Sequence, residues 1–252
     1  MTPYFDDGTV TLYLGDMREV LPALGLTVDA VVTDCPYGET SLKWDRWVNG
    51  WPTLAAAAAR SMWCFGSMRM LLKRGSEFTS ADWRLSQDVI WEKHNGSGFH
   101  ADRFKRVHEV VTHWYRGAWN EIHHETPRVA SGPGGHTGGA TAGARPSHTG
   151  QRGRAMWTDD GTRLVRSVVA VRSMNGRAIH PTEKPVELLS PLIRYACPVG
   201  GLVLDPFAGS GSTLDAARQA GRRAIGIEGD EKYAEAAAKR LLQPALDFGA
   251  TA

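Results

Sequence analysis

The most constraining feature of the chain is a strand–glycine–helix–strand pattern, LDPFAGSGSTLDAARQAGRRAIGIEGD. An apolar strand ends at Asp205, glycines follow at positions 209 and 211, and a second strand ends at Glu228, about 20 residues after the glycines. Glycines let a ligand approach the backbone closely, and a helix start offers free N–H groups at its positive end. An acid at the tip of the second strand can accept hydrogen bonds from two ribose hydroxyls. The pattern therefore predicts a ligand that contains a ribose.

Two common ribose ligands fit this pattern less well. The segment GSGST lacks the lysine of a phosphate-binding loop, which disfavours ATP held by a phosphate cradle. The segment Gly-x-Gly-x-x-Leu lacks the third glycine of a dinucleotide fingerprint, which leaves NAD as a weaker alternative.

The rest of the chain alternates strands and helices, which predicts an α/β fold with a mostly parallel sheet and helices on both faces. A chain of 252 residues is long enough for one large domain of this kind with a small insertion. Pro191 is expected to kink or split the helix that contains it. The predicted strands are 9–16, 29–35, 61–67, 85–93, 108–117, 201–207 and 222–228, and the predicted helices are 52–60, 183–196, 212–220 and 230–242.

A short motif at the end of the second predicted strand, VVTDCPYGET, raises a chemical question. Asp34, Cys35, Pro36 and Tyr37 follow a run of β-branched residues, and Cys35 could be a nucleophile, a metal ligand or a side chain without a chemical role. The three cysteines of the chain are widely spaced, which argues against a disulfide scaffold or thiolate zinc site and favours a reducing cytoplasm. The histidines of HEVVTH are one residue too far apart for the zinc motif H-E-x-x-H, so no metal site is expected.

The segment SGPGGHTGGATAGARPSHTG, residues 131–150, is rich in glycine and has too little apolar content to offset the entropy of ordering. Arginines exceed acids throughout residues 127–180. Two interpretations remain open from composition alone. The region is either a solvated insertion or an arginine-rich element that orders on a polyanion, because guanidinium groups suit phosphates and guanine edges.

Several motifs together resemble the β class of DNA amino-methyltransferases, in which the catalytic motif precedes the cofactor motif. They are Asp205-Pro-Phe-x-Gly-x-Gly with Glu228, the preceding HPTEKPVELLSPLIR, the motif DCPYG, and IWEKHNGSG with RFKRVHE. The resemblance implies a circularly permuted, Rossmann-like methyltransferase fold that uses S-adenosyl-L-methionine (AdoMet) and acts on double-stranded DNA. It also implies a catalytic half in residues 1–117, a target-recognition insertion in 118–178 and an AdoMet-binding half in 179–252.

The resemblance assigns roles to particular positions. The Asp34 carboxylate and the Cys35 carbonyl oxygen would accept hydrogens of the target amine, Pro36 would stiffen the turn, and Tyr37 would stack on a base that has left the duplex. Cysteine replaces the family's usual proline at position 35, and the order Cys-Pro differs from the Pro-Cys of cytosine-C5 enzymes, which disfavours a nucleophilic role. The cofactor positions implied are Asp16, Thr182, Lys184, Asp205, Phe207, Gly209, Gly211, Thr213 and Glu228, and the alternative role of Asp16 is that of a helix cap.

In the family that the chain resembles, Asp at the first position of the motif is associated with N6 of adenine, so the resemblance implies adenine as the methyl acceptor. N4 of cytosine, RNA or a protein amide remain alternatives, as does a catalytically inactive DNA-binding relative. Expected partners are a homodimer mate and a separate restriction endonuclease, with no membrane association and a cytoplasmic location. The tryptophan-rich segment after the motif, LKWDRWVNGW, is interpreted as a mobile loop closing over the flipped base, with Trp44, Trp47 and Trp51 as its aromatic residues.

Overall fold

The computed structural model of the protein describes residues 1–97, 101–131, 137–139, 156–158, 160–174 and 183–243. Its elements in chain order are β1 (Phe5–Asp6), β2 (Val10–Leu14), α1 (Met17–Leu24), β3 (Ala30–Thr33), α2 (Trp51–Ala58), β4 (Ser61–Gly66), α3 (Met68–Ser80), β5 (Arg84–Ser97), β6 (Arg106–Tyr115), a 3₁₀ helix (Trp119–Glu121), β7 (Arg128–Ala130), β8 (Thr137–Gly139), β9 (Met156–Thr158), β10 (Thr162–Leu164), β11 (Val168–Ala170), α4 (Val186–Ala196), β12 (Leu202–Asp205), α5 (Ser212–Gln219), β13 (Arg223–Glu228) and α6 (Glu231–Leu242).

A nine-stranded sheet forms the centre of the fold, in the order β1-β2-β13-β12-β3-β4-β6-β5-β11. The strands from β2 to β4 in this order pair in parallel with their neighbours. β6 reverses direction, because it is antiparallel to both β4 and β5. The predicted mostly parallel sheet is therefore confirmed.

Side chains alternate along each strand, so both faces of the sheet carry apolar residues. Helices cover both of these faces. Ala30 and Val32 of β3 pack in one buried cluster with residues of α4, α5 and α6. Val31, between them in sequence, packs in a second cluster with residues of α1, α2 and α3. No helix among the described residues is long and apolar enough to span a membrane.

The chain forms two compact units. The larger consists of Met1–Glu125 and Ser167–Ala252 and contains the nine-stranded sheet. The smaller consists of Thr126–Arg166 and contains two short antiparallel pairs, β7 with β10 and β8 with β9. The strand β11, inside the interval 118–178 interpreted as an insertion, belongs to the central sheet of the larger unit.

Three helical features differ from the expectations. The helix α3 was not predicted, although its N-cap Ser67 accepts a hydrogen bond from the Met70 N–H. Among its apolar residues, Met70 and Phe78 are buried, whereas Met68 and Leu72 are exposed. The helix α1 was expected only in the alternative in which Asp16 caps a helix. Pro191 lies inside a continuous α4 and does not split it.

Candidate active site at the carboxyl ends of the strands

A cavity of about 490 Å³ lies at the edge where the carboxyl ends of the parallel strands meet. Its walls include the residues that directly follow β2, β3, β12 and β13. From β12 the chain continues to β13 on one side of the sheet, whereas β3 continues to β4 on the other. The cavity therefore lies at the topological switch point, where open α/β sheets bind ligands.

One wall is the glycine loop between β12 and α5. Gly209 and Gly211 have φ values of +52° and +76°, in the left-handed region that favours glycine. A Cβ at position 211 would also lie 3.0 Å from the Ala237 Cβ of α6. Gly211 caps α5 without a side-chain hydrogen bond, so the first N–H groups of this helix remain available at the cavity.

Glu228 connects this loop to the end of β13. Its Oε2 accepts the Gly209 N–H at 2.7 Å and its Oε1 accepts the Asp230 N–H at 2.8 Å. Burial raises the pKa of the Glu228 carboxyl. The carboxylate lines the cavity, and each oxygen can accept one further hydrogen bond.

Asp16 follows the neighbouring strand β2 and also lines the cavity. It is the N-cap of α1, accepts the Arg18 N–H at 2.9 Å and forms an ion pair with the Arg18 guanidinium. The hydrogen bond from the Arg18 side chain is the main reason why the pKa of Asp16 is lowered. The helix-cap interpretation of Asp16 is therefore correct, and its position at the cavity is compatible with a second role.

Asp205 is buried beneath the glycine loop. Its Oδ1 accepts the Thr33 hydroxyl at 2.7 Å and the Phe207 N–H at 3.1 Å, and its carboxyl also bonds to the Thr213 side chain. Burial raises its pKa to about 6. Asp205 thus ties β12, β3 and α5 together at the floor of the cavity. Phe207 lines the cavity and packs edge-on against Trp51, with ring centroids 5.6 Å apart.

The opposite side of the cavity holds Asp34. Its Oδ1 accepts the Tyr37 hydroxyl at 2.6 Å, and its Oδ2 forms an ion pair with Lys184. The Lys184 ammonium also lies 3.5 Å from Glu109 Oε2, and Glu109 pairs in turn with Lys93. These four side chains form a row of alternating negative and positive charges that is mostly shielded from solvent.

The pKa values of the groups in this row are shifted in different directions. Although burial raises the pKa of Glu109, the ammonium groups of Lys184 and Lys93 hold it below its usual range. Burial opposes the charge of Lys184, but Asp34 and Glu109 raise its pKa. Burial raises the pKa of Asp34 despite the Lys184 ammonium, and Glu109 adds to the rise. The two carboxyls that flank Lys184 are thus shifted in opposite directions, that of Asp34 upward and that of Glu109 downward.

The other residues of the motif have distinct places. The Cys35 side chain is buried, and its sulfur lies 3.8 Å from the Cys64 sulfur of β4. Burial raises the pKa of the Cys35 thiol, which keeps it protonated and argues against a nucleophilic role. Pro36 lines the cavity. Tyr37 packs against both core clusters and directs its hydroxyl to Asp34.

Several contacts hold the tryptophan-rich segment in this structure, and its closure over a flipped base stays a prediction. The Asp45 carboxylate accepts the N–H groups of Gly38, Glu39 and Thr40 at 2.7, 3.0 and 2.7 Å. Trp51 is fully buried at the start of α2, and Trp47 packs against it. Trp44 lines the cavity.

The expected cofactor positions Asp16, Lys184, Asp205, Phe207, Gly209, Thr213 and Glu228 line the cavity, and Gly211 caps the helix beside it, whereas Thr182 lies outside the described residues. Sequence reasoning missed Glu109 and Lys93. Glu109 lies on β6, which is next to β4, and Lys93 lies on β5, one strand further along the sheet. Among the described residues, no group of three His, Cys, Asp or Glu side chains is arranged to hold a metal ion.

The sheet order, the glycine loop at the switch point and the acids at the strand tips define the Rossmann-like methyltransferase fold. The crystal structure of an M1.HpyAVI–SAM complex is similar to this chain with a TM-score of 0.64 and 20% identity, covering 92% of this chain and 99% of that chain. The model of the N6/N4 DNA methylase family matches residues 28–239. The chain belongs to this family, which is AdoMet-dependent.

Two curated relatives are similar over part of their length. YubD of Escherichia coli (strain K12) is 54% identical over 78 residues, which are 30% of this chain and 34% of YubD. The Type II methyltransferase M.HinfI of Haemophilus influenzae is 28% identical over 184 residues, which are 72% of this chain and 46% of M.HinfI. The matched segments thus span less than half the length of these two relatives.

Proposed function

We propose that the protein transfers a methyl group from AdoMet to an exocyclic amine of a base in double-stranded DNA, with N6 of adenine as the acceptor. The observation that carries this proposal is the position of Asp34, which shares one cavity with Glu228 and the glycine loop. A group that binds the amine and a site that suits a nucleoside therefore face the same space.

The cavity suits AdoMet in size, shape and charge. Its volume of about 490 Å³ falls within the range of ligand pockets. The free positions on the Glu228 oxygens suit two ribose hydroxyls, and Asp16 at the adjacent strand tip suits the adenine. Carboxylates at the rim favour a cation, and the uncapped start of α5 favours the carboxylate of the methionine part. When bound there, AdoMet supplies an electrophilic methyl group on a positively charged sulfur.

Asp34 would activate the amine. The lone pair of an exocyclic amine is delocalised into the ring, and an acceptor for its hydrogens favours a pyramidal nitrogen whose lone pair is available. Tyr37 and Lys184 each hold one oxygen of the Asp34 carboxylate, which fixes its direction and leaves acceptor positions for the amine. The raised pKa of Asp34 also makes it a better acceptor for the proton that the methylated amine releases.

The remaining motif residues would support this geometry. The Cys35 carbonyl oxygen is proposed as the second acceptor, a role that does not depend on the side chain, and Pro36 would limit the motion of the turn. Tyr37 would orient Asp34 in the free protein and stack on the flipped base when its hydroxyl leaves Asp34. Lys184 would serve Asp34 as well as the nearby end of the cofactor.

The smaller unit, Thr126–Arg166, is proposed to recognise the DNA sequence. Arg128 is exposed there, 2.6 Å from the Thr162 hydroxyl and 3.3 Å from Asp160, and Arg163 and Arg166 are also exposed. Arginine is the side chain that most often reads guanine and phosphate. A homodimer mate and a separate restriction endonuclease are further proposed partners, the latter suggested by the Type II name of the M.HinfI relative.

The test is methyl transfer from labelled AdoMet to unmethylated genomic DNA, followed by digestion to nucleosides. We expect label in N6-methyldeoxyadenosine, whereas label in N4-methyldeoxycytidine would overturn the choice of base and retain the reaction. Asp34→Ala should abolish transfer while AdoMet binding, measured by calorimetry, persists. Asp88→Ala, a matched change at an exposed position of β5, should leave transfer unchanged. Full activity of Asp34→Ala would refute the mechanism.

A further inference from the structure

Phe104 is the most exposed large apolar side chain among the described residues, with a relative exposure of 101%. It lies between β5 and β6 in the segment ADRFKR, residues 101–106, which carries three basic residues and one acid. Arg103 pairs with Asp102 at 2.7 Å, and Lys105 and Arg106 are exposed on the other side of Phe104. An aromatic ring held in water among cations forgoes the stabilisation of burial, which suggests that it serves a contact with another molecule.

The position of this segment follows from strand register. The pair Gly66–Val110 is the last between β4 and β6, so residues 106–109 of β6 continue past the end of β4. Because β4 is parallel to β3, this extension points beyond the same edge of the sheet that carries Asp34. Ser97 of β5 still pairs with Arg106, after a register shift between Glu92 and Ser97, so the extension is an irregular two-stranded ribbon. Its length from Glu109 to Arg106 is about 10 Å.

The base of the ribbon is connected to the catalytic motif. Glu109, in the extension, lies 3.5 Å from the Lys184 ammonium, which pairs with Asp34. Trp91 of β5 adds a hydrogen bond from its indole N–H to the Val171 carbonyl oxygen at 2.8 Å, and Lys93 lies 4.5 Å from the centroid of the Trp91 ring. The ribbon is thus anchored beside the cavity, and residues 101–105 directly precede its far end at Arg106.

We propose that residues 101–106 enter duplex DNA at the target nucleotide, with Phe104 as a wedge that stacks in the space left by the flipped base. This inference rests on the proposed function and adds to it the element that opens the duplex. A two-stranded ribbon fits the major groove, apolar side chains such as Phe unstack base steps, and Lys105 and Arg106 suit the flanking phosphates. The target base must leave the stack to reach Asp34, and a ring in its place compensates for lost stacking.

The first test compares methyl transfer to unmethylated genomic DNA in its duplex form and after heat denaturation to single strands. A wedge is required only where a base must be extracted from a duplex. Phe104→Ala should therefore lower kcat/KM on duplex DNA by about tenfold or more, and by less than about twofold on single strands. Phe104→Trp should retain most of the duplex activity. The matched control Leu72→Ala, at an exposed apolar position of α3, should behave as wild type on both.

A second measurement does not depend on catalysis. p-Benzoylphenylalanine placed at position 104 should crosslink to duplex DNA on irradiation, whereas the same residue at position 72 should not. Crosslinking without methyl transfer by the wild type would support the ribbon as the DNA contact and refute the proposed function. Equal losses on duplex and single strands, or no crosslink at position 104, would overturn the wedge. A dimer that Phe104→Ala dissociates in sedimentation would assign the ring to a second copy of the chain and also overturn it.

Discussion

Lys184→Met tests whether the buried charges around Asp34 depend on a shared cation. The Lys184 side chain is only 6% exposed, and Asp34 and Glu109 are 22% and 19% exposed. Removing one partner of a buried ion pair leaves an uncompensated charge, and the partial exposure of the carboxylates places the loss at the low end of the usual range, about 3 kcal/mol. For a chain of this size, such a loss lowers Tm by about 6–12 °C.

Glu109→Gln sharpens the test, because it removes one of the two carboxylates that face each other once Lys184 is gone. The double variant Lys184→Met/Glu109→Gln should lose less stability than the two single variants lose together, by about 1 kcal/mol or more in urea unfolding at pH 7.5. Folding raises the pKa of Asp34, so its carboxyl is protonated as the pH falls. The free energy of unfolding that Lys184→Met loses relative to wild type should therefore become smaller at low pH. The control Lys239→Met, in an exposed pair with Glu235, should unfold as wild type. Losses that add within about 0.5 kcal/mol would refute the coupling.

Three further predictions concern the cavity. Gly211→Ala places a side chain at a left-handed φ of +76° and 3.0 Å from the Ala237 Cβ, so calorimetry should show weaker AdoMet binding. The control Gly25→Ala, with φ +57° and open space around it, should cost only about 1–2 kcal/mol of stability and leave AdoMet binding intact. Because burial raises the pKa of Asp205 from 3.8 to about 6, the stability that its carboxyl contributes is present below pH 4 and lost as pH rises through 6. The unfolding free energy of Asp205→Asn relative to wild type should therefore rise by about 2.4 kcal/mol between pH 4 and pH 7, and a flat difference would contradict this. Cys35→Ala should retain methyl transfer, because the proposed acceptor is a backbone oxygen. Complete loss of transfer in a folded variant would show that the Cys35 thiol takes part in the reaction.

The sequence by itself determined the local pieces of this protein. Alternating apolar residues and the glycine pattern predicted the strands around Asp34, Asp205 and Glu228 and their places at strand ends, because these signals depend on neighbours within a few residues. The cap at Asp16 was recognised as an alternative for the same reason. The helix α3 was missed because its residues 73–77 lack apolar side chains, and the burial of Met70 and Phe78 on either side of them depends on tertiary contacts.

The tertiary structure decided which of these pieces act together. Lys184 reaches Asp34 across 150 positions of sequence, and Glu109 joins them only because β6 lies beside β4 in reverse direction. The Cys35 side chain faces Cys64 because the turn after β3 directs it toward the core. Contacts of this kind depend on strand order and register, which arise from packing of the whole sheet and leave no short-range pattern in the sequence. The sequence therefore predicted the groups at the cavity, and the fold determined their charges, their partners and the ribbon that carries Phe104.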